Sequence, residues 1–230
     1  MSRVNEAGQP IGEAVDWTAR PEVAPVTLVG GWCRVEPWSH AHLDALYDAT
    51  VLSSPGTLWT YLPRLPPRNP EELADWLDGL AADPSAVPLV ICRPDGRAVG
   101  TASYLRLDGA NGSVEVGAIA YAAELQRTTA ATEAMYLMAR HVFDDLGYRR
   151  YEWKCDSLNA PSRRAAERLG FRFEGTFRNA MVYKDRNRDT DWFSITDAEW
   201  PAIRAAFEDW LAPANQPGGV QQCPLGVTTG

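Results

Sequence analysis

The spacing of apolar residues changes character in the middle of the chain. From Val114 to Tyr121 (Val-Glu-Val-Gly-Ala-Ile-Ala-Tyr) side chains alternate with the period of two that a half-buried strand requires. Further on, Ala131, Ala134, Met135, Met138, Val142 and Leu146 recur at helical spacing, Arg140, Asp144 and Asp145 fall off that stripe, and Gly147 supplies a C-terminal stop. Arg150 to Cys155 returns to alternation, with Tyr151, Trp153 and Cys155 on the core side. Strand, long helix, strand is a βαβ unit, so the two strands are expected to run parallel. The joint between the first strand and the helix is Glu124-Leu125-Gln126-Arg127-Thr128-Thr129-Ala130-Ala131, small and hydroxyl-rich. Such a helix start suits an anion: the first backbone N–H groups are free, the helix dipole favours negative charge, and small side chains allow close approach.

The same reading orders the rest of the chain. Val26–Val29 and Trp32–Val35 read as strand segments around Gly30-Gly31, and Ser39 caps a helix through Tyr47. A loop carrying Trp59 and Tyr61 follows. Asn69, Pro70 and Glu71-Glu72 make a strong start for a helix to about Ala82. Val87–Cys92 and Ala98–Leu105 flank Asp95-Gly96 as a hairpin, and a turn at Asp108–Gly112 leads into the Val114 strand. After Cys155 come a short helix from Asn159 to Leu169, strand segments at Phe171–Phe173, Ala180–Lys184 and Asp189–Ile195, and a last helix from near Asp197 to about Leu211. Residues 1–25 and 212–230, rich in Gly and Pro, are expected as a flexible arm and a flexible tail around one domain spanning 26–211.

Gln126-Arg127-Thr128-Thr129-Ala130-Ala131 resembles the Gln/Arg-x-x-Gly-x-Gly/Ala pyrophosphate loop of the GCN5-related N-acetyltransferases (GNAT), with Thr129 where a glycine is usual. Asn159-Ala160-Pro161-Ser162 and Leu169-Gly170-Phe171 follow in the family's order and spacing. Cys155–Asn159 and Arg188–Ile195 resemble the branch of the ribosomal-protein N-terminal acetyltransferases (RimJ/RimL-like). The resemblance covers roughly Thr27 to Leu211. It implies an α/β fold with a twisted, mixed and largely antiparallel sheet of about six to seven strands, the parallel βαβ unit at the cofactor site and helices on the flanks. It also implies acetyl-CoA as donor, a primary amine of a small molecule or a peptide N-terminus as acceptor, direct transfer in a ternary complex, and a possible homodimer.

Residue by residue, the resemblance puts the pyrophosphate on Gln126, Arg127, Thr128, Thr129, Ala130 and Ala131. It puts the pantetheine beside Val116 and Ala118, with Asn159 and Ser162 near the sulfur; Asn159 also reads simply as a helix cap. Many relatives carry a tyrosine four residues after the Ser162 position as general acid. This chain has Ala166 there, which leaves Ser162 as the proton donor, or a water in its place. Glu115, on the strand beside the reacting centre, is the candidate general base, with a structural or substrate-orienting carboxylate as the alternative. Trp59, Tyr61, Tyr183 and Asp191 are candidate acceptor contacts, against the plain reading that aromatic residues fill the core. A different acyl group such as succinyl, or a CoA-binding module with little catalysis, keeps the same fold.

Composition narrows the class. At 230 residues and 45% hydrophobic content the chain can bury a large core. No apolar run nears the ~18 residues that cross a bilayer, and the N-terminus does not read as a leader, so a cytoplasmic protein without a membrane partner is expected. Cys33, Cys92, Cys155 and Cys223 are scattered, and three histidines without His-Glu-x-x-His argue against a catalytic metal. Net charge is −8, yet Tyr148 to Arg188 holds eleven Lys or Arg against five Asp or Glu. That basic stretch reads either as solvated helix faces or as the side facing a polyanionic cofactor, with the acidic remainder drawing a cationic acceptor; an acidic chain without an aromatic-basic motif points away from nucleic acid.

Overall fold

The structure, a computed structural model, describes residues 3–217 and 221–226; part of the expected C-terminal tail (218–220 and 227–230) and residues 1–2 of the expected arm lie outside them. Ten strands are described: β1 (Arg3–Val4), β2 (Pro10–Ile11), β3 (Leu28–Val29), β4 (Arg34–Pro37), β5 (Ala86–Cys92), β6 (Ala98–Asp108), β7 (Ser113–Tyr121), β8 (Arg150–Asp156), β9 (Arg172–Tyr183) and β10 (Arg186–Thr196). The first two form a small ribbon; the other eight form one sheet in the order β3-β4-β5-β6-β7-β8-β10-β9. Within it β7 and β8 pair in parallel and the other described pairs are antiparallel. The eight-stranded sheet is wider than the six to seven strands expected.

At the far edge two expected segments merge into one strand. Phe171–Phe173 and Ala180–Lys184 read as separate segments in sequence, because Gly175 and Asn179 interrupt the alternation. In the structure they belong to one strand, β9, with Asn179 at φ 51° and two register shifts against β10. Bulges absorb the residues that break the period, so the strand continues where the pattern stops.

Among the described residues five α-helices flank the sheet: α1 (Leu43–Tyr47), α2 (Pro70–Ala81), α3 (Thr129–Arg140), α4 (Ala160–Arg168) and α5 (Trp200–Leu211). Asn69 caps α2 by accepting from the Glu72 N–H at 2.9 Å, as its sequence position predicts. One face of the sheet carries the larger core, with Val116, Tyr104, Met138, Tyr151, Phe193 and Phe207 among its members. Here Tyr104 donates to the Met138 carbonyl at 2.9 Å and ties α3 to the sheet. The other face carries a smaller core of Leu46, Trp59, Leu73, Leu77, Val90 and Cys92.

Glu133 of α3 locks the start of the sheet. Its buried carboxylate accepts from the N–H groups of Gly31, Trp32 and Cys33 at 2.6–2.8 Å. A Cβ at Gly30 would lie 2.3 Å from that carboxyl group, so the turn requires glycine there. The stretch expected as a loose arm is tied to the domain at three points. The Trp17 indole donates to the Ala110 carbonyl at 2.7 Å, the Arg20 N–H to the Gly109 carbonyl at 2.9 Å, and the Tyr148 hydroxyl to the Pro21 carbonyl at 3.0 Å. In the C-terminal tail Gln216 is buried and donates to the Trp210 carbonyl at 2.9 Å.

Candidate active site

The site begins where two parallel strands part. β7 and β8 pair from Ser113↔Arg150 to Val116↔Trp153, and from Gly117 onward the β8-facing edge of β7 has no ladder partner among the described residues. On its other side β7 meets β6 with a register shift: Ser103 faces Gly117 and Thr101 faces Ala120, so β7 carries one extra residue. Ala118 takes φ 50° in that bulge, and the Thr101 hydroxyl donates to its carbonyl at 2.9 Å. The bulge bends β7 away from β8. Between them opens a cleft of about 1410 Å³, more than the ~300–1,000 Å³ of a site for one drug-sized ligand.

One end of the cleft is the joint before α3. Thr128 is the N-cap: its hydroxyl accepts from the Ala131 N–H at 3.2 Å and donates to the Leu125 carbonyl at 2.6 Å. Arg127 holds φ 63° to make the turn, and the exposed Gln126 amide donates to the Tyr121 carbonyl at 2.8 Å. The N–H groups of Thr129 and Ala130 have no partner among the described residues, which leaves them to a ligand at the positive end of the helix. Gln126, Arg127, Thr128, Thr129 and Ala131 line the cleft; Ala130 packs against the core instead. Arg168, at the end of α4, joins this end. Its guanidinium donates to the Thr132 hydroxyl at 3.1 Å and lies 5.2 Å from the Trp210 ring, and burial pushes its pKa down. Two cations and free N–H groups suit the phosphates of coenzyme A.

At the middle, Asn159 caps α4, accepting from the Ser162 N–H at 3.2 Å. The Ser162 hydroxyl oxygen accepts from the Trp153 indole N–H at 3.0 Å. An indole nitrogen only donates, so the hydroxyl keeps its own proton for another acceptor. The Cys155 thiol lies beside it, and burial pushes that thiol up to about 11 despite the hydrogen bond with Ser162. A thiol held protonated at neutral pH is a poor nucleophile. Ala118 lines the cleft, whereas the Val116 side chain is buried beneath it.

Across the sheet from α3 lies an ionic cluster. The Lys154 ammonium reaches Glu115 at 2.5 Å and Glu152 at 3.7 Å, and sits 3.9 Å from the centre of the Trp192 ring. Burial raises the Glu115 pKa, against the opposing charge of Lys154; burial lowers the Lys154 pKa, against the charge of Glu115. Gly117 is the first residue beyond the last β7–β8 pair, and a Cβ there would lie 3.2 Å from Glu115 Oε1. The carboxylate therefore lies against the backbone where the strands part. Sequence reasoning singled out Glu115 and missed Lys154. The available signal was Glu152-Trp153-Lys154, two charges on one face of a strand next to Glu115.

The four candidate acceptor contacts separate. Tyr61 lines the cleft. Trp59 belongs to the smaller core: it is 2% exposed, donates to the Thr50 carbonyl at 3.2 Å and meets the Trp76 ring at 5.9 Å. Tyr183 sits behind the wall, donating to Asp156 at 2.6 Å, and burial with that carboxylate pushes its phenol up to about 12. Asp156 itself lines the cleft. Asp191, expected to face an ammonium group, is 1% exposed; it pairs with Arg163 at 2.8 Å and accepts from the Thr176 hydroxyl at 2.6 Å. Neither Trp59 nor Asp191 lines the cleft. Arg64, Lys154, Asp156, Arg168 and Arg188 do, and sequence reasoning named none of them as a site residue.

Away from the cleft, Glu36, His42 and Cys92 bring ligand atoms within 4.8 Å of one another; Arg34 holds one Glu36 oxygen at 2.8 Å and His42 the other at 3.3 Å, which accounts for the arrangement without an ion. No helix among the described residues is long and apolar enough to cross a membrane.

Comparison with known proteins places the fold in a family. The sequence profile of the family described as "Acetyltransferase (GNAT) domain" matches residues 33–172. No curated protein matches the chain. Among solved structures, a GCN5-related N-acetyltransferase from Brucella melitensis is 43% identical with a TM-score of 0.87, over 91% of this chain and 96% of that one. A probable acetyltransferase of the GNAT family from Chromobacterium violaceum is 36% identical with a TM-score of 0.78, over 84% of this chain and 100% of that one. A spermidine N-acetyltransferase from Vibrio cholerae, in complex with CoA and spermine, shares the fold at 16% identity and a TM-score of 0.59, over 72% and 96% of the two chains. The chain belongs to the GNAT acetyltransferase family.

Proposed function

We propose that the protein transfers acetyl from acetyl-CoA directly to a primary amine, with donor and acceptor together in the cleft. The observation that carries this is the parting of β7 and β8 after Val116 and Trp153, which joins a cationic, N–H-rich end at α3 to a carboxylate at Glu115. Gln126 to Ala131 with Arg168 hold the phosphates, and Asn159 and Ser162 border the sulfur. An N–H of the unladdered β7 edge around Gly117 and Ala118 polarises the thioester carbonyl.

In this reading Glu115 accepts the proton of the attacking amine, while Lys154 keeps that carboxylate ionised against its burial. As the nitrogen–carbon bond forms and the carbon–sulfur bond breaks, the Ser162 hydroxyl donates its proton to the departing sulfur and recovers one from solvent. Positioning supplies much of the rate, since a thioester is already reactive. The segments resembling the ribosomal-protein branch, Cys155–Asn159 and Arg188–Ile195, keep a peptide N-terminus among the acceptors beside small amines.

Isothermal titration with acetyl-CoA, succinyl-CoA and free CoA tests the reading. Tighter binding of acetyl-CoA, followed by thiol release with an amine panel, is the expected result. Binding without turnover across the panel would leave a CoA-binding module, and no binding of any of the three would remove the donor site altogether.

A further inference from the structure

The charges lining the cleft do not balance once their partners are counted. Glu115 is paired with Lys154 at 2.5 Å; Asp156 keeps its charge while accepting from the Tyr183 hydroxyl at 2.6 Å, and no arginine lies within ion-pair distance of it among the described residues. At the α3 end Arg127 and Arg168 face the donor phosphates. Two guanidinium groups remain, Arg64 and Arg188, and neither has a carboxylate within ion-pair distance among the described residues. Arg64 lies 4.8 Å from the Trp76 ring and its buried Nε has no hydrogen-bond partner. Glu72 and Asp75 act on it only at longer range, and Glu72 is already paired with Arg68. The Arg188 guanidinium donates to the Thr190 hydroxyl at 3.1 Å, lies 5.9 Å from the Tyr183 ring and has no further hydrogen-bond partner among the described residues.

These two arginines come from segments more than a hundred residues apart, and the structure ties the segments together. The β9–β10 turn reaches across the cleft: Lys184 donates to the Trp59 carbonyl at 2.5 Å and Arg186 to the Thr60 carbonyl at 3.1 Å. The loop bearing Tyr61 and Arg64 and the strand bearing Arg188 therefore form one rim. Tyr61, Leu62, Trp76, Leu80 and Leu105 give that rim an apolar floor.

We infer that the acceptor amine carries an anionic group, a carboxylate or a phosphate, on an apolar or short body, and that Arg64 and Arg188 bind that group while the amine faces Glu115. A planar guanidinium binds either anion through paired N–H groups, and an unneutralised cation in a half-buried cleft disfavours a polycation. This inference rests on the acetyl transfer proposed above and deepens it.

The test compares matched amines by thiol release with acetyl-CoA: phenylalanine against phenylalaninamide, phosphoethanolamine against ethanolamine, and spermidine as the polycation. One or both anionic members should exceed the neutral partner in kcat/KM by about tenfold or more, the first pair reporting carboxylate and the second phosphate. Arg64→Gln and Arg188→Gln should each shrink that ratio, mainly through KM, and Arg→Lys at the same positions should restore part of it. Calorimetry of phenylalanine and phosphoethanolamine reads the same preference without turnover, so loss of the anion site and loss of the donor site are told apart: failure of acetyl-CoA to bind counts against the transfer reaction alone. Preference for spermidine or the neutral amines, a ratio that survives both glutamine variants, or no binding of either anionic probe overturns the inference. So does turnover of succinyl-CoA with neutral amines at the acetyl-CoA rate, which would place the anion on the donor instead.

Discussion

The end of the cleft beside α3 and the end beside Glu115 are made from different materials. At α3 the groups offered to a ligand are mainly backbone: the N–H groups of Thr129 and Ala130, set by a capping threonine and one residue at positive φ within a run of six. At Glu115 they are side chains delivered by Tyr61 and Arg64 of a loop, Leu105 of β6, Lys154 of β8 and Arg188 of β10. In the proposed reading, backbone geometry takes the polyanionic donor. Side chains on separate elements can each be exchanged without disturbing that geometry, so in this reading they set the acceptor while the backbone sets the donor.

That contrast predicts separable failures. The largest should follow Glu115→Gln, which removes the proposed base and lowers kcat by about 10²–10⁴-fold while the acetyl-CoA Kd stays near its original value. Because the change leaves the buried Lys154 ammonium with only Glu152 at 3.7 Å as counter-charge, stability should fall too, by about 3 kcal/mol. The double variant Glu115→Gln with Lys154→Met should recover most of the melting temperature without recovering turnover. If turnover returned with stability, the carboxylate would be structural.

The next effect strikes the other end. Thr129→Asp sets a carboxylate against the phosphates: at about 4 Å and an effective dielectric of about 20 the repulsion is about 4 kcal/mol, enough to weaken acetyl-CoA binding by ~100-fold or more. The fold should tolerate it. The hydrogen bond from Thr129 to Gln216 is lost, but an acidic residue in the first turn favours the helix by about 0.3–1 kcal/mol. Unchanged binding would mean that the phosphates lie elsewhere.

The same contrast explains what the sequence disclosed. Gln126–Ala131 and Asn159–Ser162 are contiguous, and their spacing reports a strand, a turn and a cap that depend on nearest neighbours alone, so the α3 end was legible. Glu115 was legible as a lone carboxylate on a predicted strand. Lys154, Arg64 and Arg188 were not, because their meeting depends on strand order and on the reach of the β9–β10 turn over the Trp59 loop. Trp59 and Asp191 show the converse error. Chosen by residue type, they prove to be a core indole and a buried carboxylate already paired with Arg163. Around them the βαβ unit, the α2 cap and the Asp95-Gly96 hairpin followed local rules and formed as expected. β9 did not, since bulges at its two irregular positions preserve a strand that simple alternation would end.

A finer test turns on the Glu115–Lys154 pair. The base works only when ionised, so activity should rise with pH through the Glu115 pKa, which burial places above the ordinary glutamate value. The charge of Lys154 opposes that rise. Lys154→Met should therefore move the acidic limb of the kcat/KM profile to higher pH, and Glu152→Gln should move it lower, because the Glu152 carboxylate raises the Glu115 pKa. Shifts of one sign in both variants, or no shift in either, would remove Glu115 as the group that sets the limb.

The smallest effect belongs to Ser162→Ala. The thiolate of coenzyme A is a good leaving group, and a wide cleft admits water that can replace a hydroxyl proton. The expected loss in kcat is therefore about tenfold, short of the 10²-fold that general acids usually contribute. The substitution also leaves the Trp153 indole N–H without the oxygen it now meets at 3.0 Å. A change in Trp153 packing would disturb acetyl-CoA binding, whereas a lost proton donor would lower kcat and spare the Kd, so measuring both separates the two. A kcat that does not move assigns the sulfur's proton to water, and the protein's acid–base chemistry then resides wholly at Glu115 and Lys154, on the side-chain-built end of the cleft.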